Sequence, residues 1–167
     1  LRFYDAPALQ RRLAKNHIQP KAEAQYRLNL IGCGMIGREH MRVATLLGKT
    51  AINGVFDTSA ESLKIADEEF ASYANTALVR YESLEDACFD DSVDALLICT
   101  PNFTHFEILQ TAIKSGKGIF VEKPMATSLL EAAKIVGMAQ RYSNFIQLGM
   151  QYRYKSQYSQ AFHLIKI

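Results

Sequence analysis

The sequence has no tryptophan, and only four prolines, nine glycines and three cysteines among its 167 residues. That little proline and glycine excludes a collagen-like or low-complexity chain. Cys33, Cys88 and Cys99 are odd in number and make no Cys-x-x-Cys pair. Neither a disulfide framework nor a thiolate metal site is expected, and a reduced, cytoplasmic setting is. The four histidines are scattered, none four residues from another, so no metal site is expected from them either. No apolar run approaches the ~18 residues of a membrane span. The first five residues do not read as the charged-then-apolar start of a secretory leader. Excess charge is also missing. The net charge of +2 is too small to imply a nucleic-acid partner. The charge is uneven, with residues 1–26 carrying +3 and the remainder −1. That basic leader reads as a solvated helix face or as an interaction arm.

What is present suits a globular domain: 49% hydrophobic and 22% charged residues, in a chain long enough for one full core and little more. Asp5, Pro7, Leu9 and Leu13 predict a short helix over 5–16, followed by a linker that Pro20 keeps out of helix. From Arg27 onward, strands and helices alternate. Strands are expected at 28–31, 51–56, 77–81, 93–100, 118–121 and 145–150. The helix after the first strand shows Met35, Ile36, His40, Val43 and Leu47 at helical spacing and ends at Gly48, a left-handed cap. Capping boxes are expected at Thr58 with Glu61, Thr104 with Glu107, and Ser128 with Glu131, and Ser83 with Asp86 caps a short helix. The tail after residue 150 ends as an amphipathic helix. Strands with little polar alternation, separated by helices, predict a doubly wound parallel sheet of the Rossmann type.

Three stretches carry chemistry. The first is Gly32-Cys33-Gly34-Met35-Ile36-Gly37, between a strand and a helix. Gly32 allows a tight turn, Gly34 lets a pyrophosphate approach the backbone, and Gly37 lets helix and strand pack closely. The helix start, at Met35 and Ile36, offers free N–H groups and a positive dipole end to phosphates. Asp57 lies twenty residues beyond Gly37 at the end of the second strand. Its carboxylate can accept ribose hydroxyls and repels a 2′-phosphate, which favours NAD over NADP, as does the absence of Arg and Lys from positions 58–63. The second stretch is Thr100-Pro101-Asn102, at the carboxyl end of the fourth strand, where open α/β sheets bind ligands. Asn102 reads as a ribose or nicotinamide contact or as a turn residue. His105, in the next helical turn, reads as structural or catalytic. The third is Glu122-Lys123-Pro124, after the fifth strand. Lys123 can exchange a proton with a substrate oxygen there, or can simply be solvated, and Glu122 can pair with it or satisfy nearby backbone groups.

These segments, LIGCGMIGREH (30–40), VDALLICTPNFTH (93–105) and GKGIFVEKPMA (116–126), resemble the glucose–fructose oxidoreductase/inositol dehydrogenase (Gfo/Idh/MocA) family from about Arg27 to the C-terminus. The Glu-Lys-Pro segment is the most specific of the three. The resemblance implies a Rossmann domain (27–150) followed by an α/β domain with a large open sheet, of which 151–167 would be the start; residues 1–26 lie outside it. It implies that Lys123 lies near nicotinamide and substrate, that the Lys123–Pro124 bond is cis, that Asn102 lies near the nicotinamide ribose, that His40 is buried, and that Arg153 lies near cofactor and substrate. It also implies that oligomer contacts and an acid/His pair belong to the second domain. The chain therefore reads as a fragment, with catalysis by these 167 residues alone not expected. The function implied is an NAD-dependent dehydrogenase oxidising a secondary alcohol of a sugar, cyclitol or related polyol. The alternative is a non-enzymatic dinucleotide sensor on the same scaffold. An unrelated Rossmann protein such as a methyltransferase is disfavoured by Glu-Lys-Pro.

Overall fold

The structure, a computed structural model, describes residues 24–165; the helix expected over 5–16 lies outside them. Six strands form one parallel sheet: β1 (Tyr26–Ile31), β2 (Thr50–Phe56), β3 (Val79–Arg80), β4 (Ala95–Ile98), β5 (Gly118–Val121) and β6 (Ile146–Leu148). Their order is β3-β2-β1-β4-β5-β6, with every pairing parallel. The chain winds outward from β1 to β3, then returns to β4 and winds the other way. The reversal falls between β1 and β4, and such a sheet opens a crevice there at its carboxyl edge.

The helices are α1 (Met35–Leu47), α2 (Ala60–Ala71), α3 (Leu84–Phe89), α4 (His105–Ala112), α5 (Leu129–Ala139) and α6 (Ser156–Ile165). Helices α1 to α5 cover both faces and make two cores. One joins Leu28, Leu30, Ile52 and Val55 to Met41 of α1 and to Ala66 and Phe70 of α2. The other joins Ile31, Leu96, Ile98 and Ile119 to Leu109 of α4 and Ile135 of α5. Alternate residues of β1 thus feed opposite cores, as the period of two requires. Each fully buried Leu or Ile contributes roughly 1.5–3 kcal/mol of transfer free energy.

Local signals were met unevenly. Ser83 and Ser128 cap their helices through Asp86 N–H and Glu131 N–H, and Gly48 takes the left-handed conformation at φ 71°. The cap expected at Thr58 is instead Ser59, whose hydroxyl accepts from Ser62 N–H. Asp57 accepts Ser59 N–H at 2.8 Å, and this turn moves the helix start one residue on. The box expected at Thr104 does not form. A 3₁₀ turn at Asn102–Thr104 intervenes, and the Thr104 hydroxyl lies 2.8 Å from both Thr100 Oγ1 and the Pro101 carbonyl. The expected strands at 77–81, 93–100 and 145–150 are trimmed to their central residues.

The apolar spacing read along α1 marks the wrong face. Met35 is 74% exposed and Leu47 71%, with Ile36 and Val43 also exposed, while the buried positions are Gly37 and Met41. Among the described residues no helix is long and apolar enough to cross a membrane.

Candidate active site

Parallel strands deliver their carboxyl ends to one edge, and every candidate segment lies there. The glycine loop follows β1, Asp57 follows β2, Thr100-Pro101-Asn102 follows β4, Glu122-Lys123-Pro124 follows β5, and Arg153 follows β6 in a 3₁₀ turn at Gln151–Tyr154. Asp57 and Lys123 are three strand positions apart, about 14 Å at ~4.8 Å per strand, with the glycine loop between them.

The glycines of the loop do different work. Gly32 has φ +94°, and a Cβ on it would lie 2.7 Å from the Cys99 carbonyl carbon and Thr100 nitrogen. It is therefore required both by its backbone conformation and by the approach to the end of β4. A Cβ on Gly37 would fall 2.0 Å from the Gly32 carbonyl oxygen, so this glycine lets α1 press on the turn. Gly34 differs. Its backbone is extended, at φ −64° and ψ −179°, and a Cβ there would meet nothing within 4 Å. Protein packing does not demand that glycine, and the open space above it is what a phosphate needs. No side chain caps the start of α1, and its first turn holds no acidic residue. Its first N–H groups are therefore open, as an anion site requires.

Asp57 anchors this loop. Its Oδ2 accepts Cys33 N–H at 2.7 Å and its Oδ1 accepts Ser59 N–H at 2.8 Å. A carboxylate has about four acceptor sites, so two remain for ribose hydroxyls. Cys33 lies buried under the loop, and burial followed by the Asp57 charge pushes its thiol up to about 12. It is inert packing rather than a nucleophile. Arg38 ties α1 to the loop by donating to the Cys33 carbonyl at 2.8 Å.

On the far side of the loop, Pro101, Asn102, Lys123 and Arg153 are exposed. The Lys123–Pro124 bond is cis, as the resemblance implied. Glu122 is engaged at both oxygens, one with His40 Nε2 and one with Lys123 N–H. His105 is 1% exposed and faces two carbonyls, Pro124 O from Nδ1 at 2.9 Å and Thr100 O from Nε2 at 3.0 Å. The ring thus stands between the loops after β4 and β5, with a backbone carbonyl against each nitrogen. The His40 and Glu122 contact joins residues 82 apart, and no spacing signal in the sequence announces it. Among the described residues, no group of His, Cys, Asp and Glu is arranged to hold a metal ion.

A glycine loop at the switch point, an open helix start and an acid closing the second strand define a dinucleotide-binding α/β domain. Residues 26–150 match the Gfo/Idh/MocA family, described as an oxidoreductase family with an NAD-binding Rossmann fold, and the chain belongs to that family. It is 31% identical to an inositol 2-dehydrogenase of Acidiphilium cryptum over 134 residues, covering 79% of this chain and 39% of that protein. It is 28% identical to a glucose-6-phosphate 3-dehydrogenase of Bacillus subtilis, covering 78% of this chain and 35% of that protein. The crystal structure of myo-inositol dehydrogenase from Lactobacillus casei, in complex with NAD(H) and myo-inositol, matches with a TM-score of 0.72 at 28% identity. It covers 78% of this chain and 38% of that one. The chain thus spans between 35% and 39% of the length of these relatives.

Proposed function

We propose that this chain is the dinucleotide-binding domain of an NAD-dependent oxidoreductase acting on a secondary alcohol of a sugar, cyclitol or related polyol. The observation that carries the reading is the open floor over Gly34, flanked by a carboxylate with acceptor sites to spare on one side and an exposed lysine two strands away on the other. In this reading Asp57 accepts the adenosine-ribose hydroxyls, and the N–H groups of Gly34, Met35 and Ile36 meet the phosphates. Asn102 contacts the second ribose. A bound nicotinamide supplies the hydride acceptor. Lys123 then handles the proton of the hydroxyl being oxidised, and Arg153 helps orient substrate. The relatives named above act on inositol and on a sugar phosphate by their names, which supports a polyol or sugar substrate.

The reading includes a second domain, beginning near residue 151, that holds the substrate over the nicotinamide. The 167-residue chain should bind NAD(H) more tightly than NADP(H) by calorimetry, because Asp57 would oppose a 2′-phosphate; equal or tighter NADP(H) binding would overturn the cofactor assignment. A panel of polyols followed by NADH absorbance should show turnover for a longer polypeptide carrying the second domain and none for the chain alone. Lys123→Ala in the longer polypeptide should slow turnover by roughly 10²–10⁴-fold with little change in cofactor affinity. An unimpaired variant would remove Lys123 from the chemistry.

A further inference from the structure

His40 of α1, His105 of α4 and the backbone just beyond β6 converge on the two residues that flank Lys123. On the amino side, Glu122 is held between α1 and the backbone just beyond β6. His40 Nε2 lies 2.8 Å from Glu122 Oε1. A carboxylate only accepts, so Nε2 is the donor. Glu122 Oε2 accepts the backbone N–H of Lys123 at 3.0 Å. Phe120 meets the His40 ring at 5.0 Å between centroids and 61° between planes, which fixes the imidazole's orientation. Just beyond β6, the backbone at Gly149 comes so close that a Cβ there would stand 2.9 Å from Phe120 Cζ and 3.0 Å from Glu122 Oε1. On the carboxyl side, the Pro124 carbonyl faces buried His105.

We propose that His40 and Glu122 are positioning residues that couple the phosphate-facing helix to the backbone carrying Lys123. His40 is six residues beyond Gly34 on α1, about 9 Å along the helix axis. A ligand that orders the start of α1 therefore orders the donor that holds Glu122, and Glu122 holds the Lys123 amide. A free glutamate has several rotamers, whereas one bonded at both oxygens and packed against Gly149 has one. The lysine stem then leaves the sheet edge from a fixed origin, as proton transfer over a short distance requires. This inference rests on the reading of Lys123 as the reactive lysine, and its test does not use turnover, so either can fail alone.

The test is backbone amide exchange at Lys123, followed by NMR on the 167-residue chain with and without NAD+. His40→Ala should raise Lys123 amide exchange by about tenfold or more, the loss expected for a hydrogen bond to a charged acceptor, while the β5 amides of Ile119 and Val121 keep their protection. His40→Gln retains a donor and should restore most of the protection. Gly149→Ala should raise exchange at Lys123, because the added methyl would crowd both the Phe120 ring at 2.9 Å and the Glu122 carboxylate at 3.0 Å. NAD+ should slow Lys123 exchange further in the unaltered chain and not in His40→Ala. Unchanged Lys123 exchange in His40→Ala, or a His40→Gln chain as unprotected as His40→Ala, would overturn the positioning role. Equal NAD+ protection in the unaltered and His40→Ala chains would overturn the coupling. Normal turnover in Lys123→Ala with these exchange results intact would overturn the lysine's chemistry and leave the clamp standing.

Discussion

Replacing Gly34 with valine separates the ligand's demand for glycine from the fold's. Position 34 is extended at φ −64°, a conformation open to any residue, and a Cβ there meets no protein atom within 4 Å. Two small terms oppose each other in the free chain. Removing glycine stabilises by ~0.4–1 kcal/mol through the unfolded state, while losing a tolerated residue at the helix cap costs up to about 1 kcal/mol. The net change is within about 1 kcal/mol, or a Tm shift of no more than about 4 °C at this size. Cofactor binding is another matter. A branched side chain fills the space through which a pyrophosphate approaches the N–H groups of α1, and losing one charge-assisted hydrogen bond costs about 1.5–3 kcal/mol, or a ten- to hundredfold fall in affinity. Calorimetric titration with NADH and a thermal melt on the same preparation check both halves. Gly37→Ala is the control. Its methyl would sit 2.0 Å from the Gly32 carbonyl oxygen, about 1.3 Å inside ordinary contact, so α1 must move and stability should fall by about 1–3 kcal/mol. A folded Gly34→Val chain with undiminished NADH affinity would refute the phosphate-loop reasoning.

Asp57→Ala should narrow the preference for NAD(H) over NADP(H), and it should also weaken both cofactors, because Cys33 N–H and Ser59 N–H lose their acceptor; calorimetry with each cofactor measures this. Asp90 is held down to about 2 by the Tyr81 hydroxyl at 2.5 Å and by Ser92. Because its folded value lies below the unfolded one, its contribution is full above about pH 4 and is lost as the pH falls toward 2. Urea unfolding of Asp90→Asn should therefore show a deficit at pH 6 that narrows steadily as the pH falls from about 4 to 2. All three thiols are buried, and burial pushes each up to about 12. A thiol reagent at pH 8 should find none fast-reacting in the folded chain and three after denaturation.

Much of this fold is local information. The strand–glycine–helix sequence at Leu30–Gly37, the acid at Asp57 and the lysine after a strand at Lys123 could each be read because turn, cap and period signals act over a few residues. With parallel strands and right-handed crossovers, the same signals place all three at one edge. What they could not give is the direction each helix faces. Along α1 the apolar spacing through Ile36, Val43 and Leu47 is as regular as that through Gly37 and Met41, yet the latter face is buried. The sheet chose it, since only glycine lets the helix approach the Gly32 carbonyl so closely, and hydrophobicity alone does not register that constraint. His40 and Glu122 make the same point across 82 residues. Neither residue type, nor any spacing, announces the other. The pair exists because the helix after β1 and the loop after β5 arrive at the same edge, on strands separated only by β4.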